Sequence, residues 1–345
     1  MPVTFIAGII ALLFCAFVED TQRNRRNVCV FVCICLILQA GMRDYLHSAN
    51  DTYNYLRMYR AVLPWSLDDA FKLFKEWNNE YVNRDPGYTV FVKLTQLICP
   101  DFRFFLLLVA AIISIPVCRI IYTYTNSITG IAVAVIIYEA LFAGFFETGI
   151  RQTIAMGIIY FSIPYILNRN WKIHYLLLSI AYTIHSSALI FSPFYFLVNI
   201  KFTKKLLIWS IILTPMFMAI APQLIAFLGE GTTFETYANT KVDNLGTPVF
   251  STLLFIVAIA TYILKSNFDE SNIKDRLLLS SMVCSLVLMP STWVNSNFIR
   301  LVFYYLIFLL PLIPRLADFA AQDNTSVRNL FSSAIVIILI FLSWH

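Results

Sequence analysis

Two apolar runs, Ile128 to Phe145 and Thr153 to Leu167, are each long enough to cross a bilayer, and the joint between them carries a charged pair, Glu147 and Arg151. A helix shields its own backbone, so it is the form in which an apolar run of this length enters lipid. An ionised arginine at the bilayer centre costs between about 2.5 and 17 kcal/mol. The joint is therefore expected at a membrane surface, in a wet cavity, or around an anion. Hydrophobic residues make up 59% of the 345-residue chain and charged residues 13%, about half the charge of an ordinary soluble domain. The apolar runs lack the alternation of a transmembrane barrel. The expected fold is thus all-α, a polytopic transmembrane helical bundle forming one integral membrane domain over 1–345.

Basic clusters set the expected topology through the positive-inside rule. Pro2 to Val18, without a basic start or a small-residue cleavage pattern, reads as a first span. The turn Glu19 to Asn27, with Arg23, Arg25 and Arg26, is then cytoplasmic, and Val28 to Met42 returns outward. Residues 43–101 form one long polar segment, expected as an external loop on the membrane with Leu67 to Trp77 and Tyr88 to Ile98 as interfacial helices. Spans follow at Phe102 to Tyr124, with Pro116 as an expected kink, and at the two runs around Arg151. Ile173 to Ile200 is read as a hairpin turning at His185-Ser186-Ser187, which keeps Lys201, Lys204 and Lys205 inside. Leu206 to Leu228, Val249 to Leu264, Leu277 to Met289, Arg300 to Arg315 and Asn329 to Ser343 complete about twelve spans. Gly229 to Thr247 is an external loop, and no internal repeat of the inverted-half kind is visible.

On this topology Arg43, Arg151 and Arg300 sit at outer helix ends, against the charge rule. Guanidinium groups stay charged and donate in a planar fork, the usual answer to a phosphate or diphosphate. Each arginine can instead pair with a neighbour, Glu147 one turn before Arg151 being the nearest, or snorkel to the headgroups. Asp51 can serve as a general base kept ionised by nearby cations, or simply cap a helix at Thr52. Asp85-Pro86-Gly87-Tyr88 is turn chemistry first. The loop tyrosines and tryptophans can form an interfacial belt or a stacking surface for sugars. His185 can donate to a phosphate, shuttle a proton, or be satisfied by a neighbour. Glu139 is either a cavity-facing polar residue or an intramembrane partner of an arginine.

Other chemistries lack their residues. There is no Gly-rich phosphate loop, zinc-ligand spacing, serine nucleophile elbow or paired aspartate motif for nucleotide sugars. Cys29, Cys33 and Cys35 share one apolar run with no histidine or acid beside them and read as small buried hydrophobes. The net charge of +5 is spread over short clusters, which speaks for topology and against nucleic acid.

Arg43 followed by Asp51-Thr52-x-Asn54-Tyr55, then Asp85-Pro86-Gly87-Tyr88, Gly149-Ile150-Arg151-Gln152, His185-x-Ser187-Ala188-Leu189, and Arg300 with Tyr304 and Tyr305 resembles the EpsG group of exopolysaccharide and O-antigen polymerases, the Wzy-like proteins. Asp85 stands where such proteins more often carry Glu. The resemblance spans about Arg43 to Pro314. It implies a GT-C-like membrane glycosyltransferase that polymerises undecaprenyl-diphosphate-linked oligosaccharide repeat units at the outer, periplasmic face of a bacterial inner membrane. It implies no metal and no cofactor. Arg43, Arg151, Arg300, Gln152 and Tyr304 would hold the diphosphate; Asp51, with Glu147 and Asp85 behind it, would be the base; His185 would assist; Tyr55 and Tyr88 would hold sugars. Partners would be the lipid-linked glycans, membrane lipid and a chain-length regulator protein. A lipid-linked oligosaccharide flippase would also want arginines, but in a cavity open to both sides. A small-solute transporter needs polar residues at the midplane of several spans, and an acyltransferase needs a deep histidine.

Overall fold

Helices are dictated by the runs themselves, and the computed structural model describes residues 17–45, 51–76, 85–229 and 246–321. Among these the chain is helical throughout and holds no strand. Three helices are long and apolar enough to cross a membrane, Phe102–Tyr124, Ile128–Thr148 and Ile150–Leu167. A fourth is added if the pair Ser296–Leu306 and Leu309–Ala321, bent by 61°, counts as one span. The expected spans at Pro2 to Val18 and Asn329 to Ser343, the end of the interfacial helix at Trp77, and nearly all of the loop Gly229 to Thr247 lie outside the described residues. The chain divides between Ser192 and Pro193 into two compact units.

In the first unit, α1 (Gln22–Gly41) starts before the expected span: Thr21 caps it by accepting from the Asn24 amide at 3.2 Å, so the arginines read as a turn lie in its first turns. The loop expected over 43–101 holds α2 (Thr52–Val62), α3 (Leu67–Lys72) and α4 (Pro86–Ile98). The last two were expected as interfacial helices, and the first only as the alternative in which Asp51 precedes a helix at Thr52. In α2, Thr52, Leu56, Tyr59 and Val62 are buried, a spacing that lays one stripe against the protein. Two carbonyls at its C-terminal end are satisfied from α4: Gln96 donates to the Tyr59 carbonyl at 2.7 Å and Lys93 to Leu63 at 3.0 Å. α3 starts with a capping box in which Ser66 and Asp69 bond reciprocally.

Helix α5 (Phe102–Tyr124) is capped by Asp101 and runs as one helix through Pro116. α6 (Ile128–Tyr138) continues into a π-turn at Glu139–Ala143 and α7 (Gly144–Thr148), and α8 (Ile150–Leu167) follows after a break at Gly149, whose ψ is 53°. α5 and α8 pack so closely that a Cβ on Gly157 would lie 2.5 Å from the Ile112 carbonyl oxygen. α9 (Trp171–Ile184) ends at His185 in extended backbone, and the 3-10 turn Ser186–Phe191 folds back along it. Tyr175 donates to the Ser192 carbonyl at 3.1 Å, and the rings of His174 and Phe191 lie 6.4 Å apart. The reversal at His185 is therefore present.

The second unit holds α10 (Phe194–Leu197), α11 (Lys204–Gly229), α12 (Gly246–Ile263), α13 (Ile273–Thr292), α14 (Ile299–Leu306) and α15 (Leu309–Ala321). α12 and α13 are tied by Trp293 Nε1 donating to Ser251 Oγ at 3.0 Å. α13 and α15 are tied by a 2.7 Å pair between Arg315 and the nearly inaccessible Asp275.

Candidate functional site

The first unit gathers the polar residues of three distant segments around one carboxylate. Asp85 precedes Pro86, which suits the first position of a helix because its ring fixes φ and no amide is needed there. An aspartate in that place normally caps its own helix. Asp85 makes no such bond; its side chain reaches outward instead. Arg151 Nη1 donates to its Oδ2 at 2.8 Å, across 66 residues of sequence, with side chains 17% and 3% exposed. His185 Nδ1 faces the other oxygen, Oδ1, at 3.8 Å, an electrostatic contact too long for a hydrogen bond.

Two neighbours complete the setting of Arg151. Its guanidinium lies over the Tyr88 ring, 5.1 Å from the centroid, and Nη2 is 3.3 Å from the Met58 sulfur. Tyr88 is 2% exposed and meets Tyr55 edge-on at 6.0 Å. Arginine over an aromatic face is held by the ring quadrupole. What brings these groups together is a close approach of α4 and α9: a Cβ on Gly87 would fall 2.2 Å from Thr183 Oγ1. Glycine at that position is what allows the first turn of α4 to lie against the last turn of α9, and so sets Asp85 opposite His185.

Burial raises the proton affinity of Asp85, but the facing His185 and Arg151 together outweigh it and hold the carboxyl below its usual range. The Tyr88 phenol is pushed up by burial. Asp85 is therefore an ionised counter-ion. Among the described residues the carboxylate that Arg151 pairs with is Asp85, not Glu147. Gly149 breaks the helix between Glu147 and Arg151, so the one-turn register that would face them is lost.

A second polar group surrounds Glu147. Arg43 donates to the Glu147 carbonyl at 2.8 Å and to that of Ala40, and Thr52 Oγ1 reaches the same Glu147 oxygen at 3.4 Å. Arg103, which the sequence reading passed over, donates to the carbonyls of Gly41 and Arg43 at 2.9 and 2.6 Å and lies 4.5 Å from the Tyr45 ring centroid. Part of Arg43 thus serves to close the end of α1. Glu139 accepts from Gln39 Nε2 at 2.9 Å, an amide and not the arginine that was one of its two expected settings. Glu147, Gln39, Arg43 and Tyr138 line a small cavity there.

The remaining candidates sit as follows. Asp51 is exposed before α2 and makes no cap bond, and Gln152 is 3% exposed within α8. Arg300 and Tyr304 belong to the second unit, Arg300 exposed in the first turn of α14 and Tyr304 fully buried. Met58 and the Asp85–Arg151 pairing were missed from sequence; nothing local signals a contact over 66 positions. Among the described residues no group of three or more histidine, cysteine or acidic side chains is arranged to hold a metal.

No curated protein matches the chain, and no solved structure does. A family model described as the EpsG family matches residues 27–345, which takes in every candidate residue named above. This helical membrane protein, with Arg151 at the joint of two apolar runs held by the buried carboxylate of Asp85, belongs to the EpsG family.

Proposed function

We propose that the protein polymerises undecaprenyl-diphosphate-linked oligosaccharide repeat units at the outer face of a bacterial inner membrane. Membership of the EpsG family fits an exopolysaccharide polymerase in general. The observation that carries the finer reading is Arg151, partly accessible, charged and preset by a buried counter-ion. Such a guanidinium can receive a lipid-borne diphosphate without first being desolvated alone. About twelve spans and an outward-facing 43–101 segment, the GT-C-like arrangement, belong to the same proposal.

In the reaction the hydroxyl oxygen of an acceptor sugar bonds to the anomeric carbon of the donor glycan. The bond from that carbon to the diphosphate oxygen breaks, and its electron pair leaves on undecaprenyl diphosphate. Arg151, with Arg43 and Gln152 in support, neutralises the departing charge, which asks for no metal; Arg300 and Tyr304, in the second unit, are the further candidates for that role. The hydroxyl proton passes to one of Asp51, Glu147, Asp85 or His185. Tyr55, half-buried beside Tyr88, offers a sugar a ring edge, whereas the face of Tyr88 is taken by Arg151. A chain-length regulator would set when the polymer is released.

The test is surface polysaccharide in cells carrying Arg151→Ala or Arg300→Ala. Both proteins are expected to insert in the membrane, with polymer reduced to single repeats beyond any fall in protein amount; loss of one such group costs about 10²–10³-fold in rate. Full-length polymer from both variants would refute the proposal. Repeat units trapped on the cytoplasmic side would favour the flippase.

A further inference from the structure

We propose that the proton acceptor of this reaction is Nε2 of His185, with Asp85 as the positioning residue that orients the imidazole and Arg151 together. The inference rests on the polymerase reading and selects among the candidate bases left open by it.

The backbone places His185 firmly. Its amide donates to the Ala181 carbonyl at 2.9 Å, and its own carbonyl accepts from the Ala188 amide at 3.0 Å. The extended conformation at the end of α9 then turns the side chain toward the start of α4. Asp85 is fixed more tightly still, since Oδ2 is taken by Arg151. Its free oxygen, Oδ1, faces His185 Nδ1, and both atoms are buried with no hydrogen-bond partner among the described residues. Two complementary buried atoms facing each other across 3.8 Å are a hydrogen bond that a small rotation of the ring completes. Such contacts are often long before substrate binds and shorten when it does.

The consequence for the ring follows from its tautomers. An imidazole whose Nδ1 bears the proton and faces a carboxylate carries its lone pair on Nε2. His185 is 21% exposed at its side chain, against 3% for Asp85. The histidine is the member of the pair a hydroxyl can reach. A carboxylate behind the ring stabilises the imidazolium that forms. Among the described residues the other ionisable groups packed around the pair are Arg151 of α8, Tyr88 of α4 and Tyr55 of α2. Asp85 itself is disqualified as base, because Arg151 holds one of its oxygens and its side chain, 3% exposed, is out of a hydroxyl's reach. Asp51 is exposed and makes no side-chain cap bond to α2.

The step balances without a co-reactant. The acceptor hydroxyl gives its proton to Nε2 as its oxygen bonds to the anomeric carbon; the diphosphate leaves with the electron pair of the broken bond and its charge faces Arg151. The imidazolium afterwards releases its proton to water.

The experiment uses the full chain purified in detergent and, as probe, lipid-linked oligosaccharides extracted from cells lacking the gene. Polymer formed by the unaltered protein establishes the parent reading; its failure to form polymer overturns that reading and this inference with it. Given a working assay, His185→Ala is expected to slow polymerisation about 10²–10⁴-fold, and added imidazole to restore the rate tenfold or more. Imidazole should do nothing for Arg151→Ala. Asp85→Asn removes the negative charge beside the ring, so the acidic limb of its kcat/KM profile should move to lower pH. A His185→Ala rate within about threefold of normal overturns the assignment. So does a slow variant that imidazole does not restore. If His185→Ala does not stay monodisperse, His185→Gln carries the rate measurement, and the pH profile of Asp85→Asn, unmoved, would overturn the inference independently.

Discussion

Replacing Asp85 by Asn is the perturbation that most directly interrogates the centre of the first unit. Shape and one acceptor oxygen are kept while the charge facing Arg151 is removed. With charge centres about 4 Å apart, an effective dielectric of about 20 gives an attraction near 4 kcal/mol. Breaking one side of a buried pair is known to cost about 3–5 kcal/mol, because the remaining charge stays buried. The Arg151 side chain is 17% exposed, so water recovers part of this, and a loss of about 3 kcal/mol is expected. At about 2–4 °C per kcal/mol for a unit of this size, the midpoint of thermal unfolding in detergent should fall by roughly 6–12 °C. The double variant Asp85→Asn with Arg151→Gln removes both charges and should regain most of that loss.

The same pair sets a pH dependence whose sign can be worked through. The folded carboxyl has its pKa below the ordinary value, so folding favours the ionised form. The stabilisation is complete above the unfolded pKa of about 3.9 and is lost as pH falls through the lower folded value. Asp85→Asn should therefore show less acid destabilisation in that window than the unaltered chain. An unchanged midpoint at neutral pH, or single-variant losses that simply add in the double variant, would show that the two groups are not coupled and would remove the basis on which Arg151 is said to be preset.

Other outcomes follow from the packing. Gly157→Ala drives a methyl against the Ile112 carbonyl and should cost about 1–3 kcal/mol, read as a lower unfolding midpoint; no change would mean α5 and α8 are not in contact there. Gln96→Leu leaves the Tyr59 carbonyl without its donor and should cost about 1–3 kcal/mol, with faster proteolysis within Thr52–Val62 as the local readout. Asp275→Asn in the second unit loses the pair with Arg315 and weakens acceptance from the Asp269 amide; a drop of several degrees in the midpoint is expected, whereas Asp69→Asn, on the surface of α3, should leave it unchanged.

How much of this was readable beforehand depended on the range of the interaction. The runs at Phe102 to Tyr124 and Ile128 to Leu167 announced their helices by length and apolarity, and the turn at His185 was legible because the charge rule excluded a single span. As one of two readings of Asp51, only the start of helix α2 at Thr52 was offered. Its polar residues Tyr53, Asn54, Arg57 and Arg60 are on the exposed face, and they drew the eye from the buried stripe at 52, 56, 59 and 62. The partner of Arg151 was not legible at all. A local rule offered Glu147, and that rule assumes an unbroken helix, which Gly149 removes. The bond to Asp85 depends on α4 and α9 touching at Gly87 and Thr183, a fact of tertiary packing that no single stretch contains.

The π-turn at Glu139–Ala143 has a consequence for how this segment tolerates change. Such a turn holds one residue more than regular helical winding needs. Each residue of an α-helix advances the face by about 100°. Deleting a single apolar residue between Tyr138 and Gly144 would let the winding relax to the regular form with the following turn nearly in place, whereas a deletion within Ile128–Tyr138 would rotate everything after it by that angle and carry the Glu147 carbonyl away from Arg43 and Thr52. Length is therefore less strictly fixed at the π-turn than in the regular winding before it: the loss of one residue should be absorbed at the turn and not in Ile128–Tyr138.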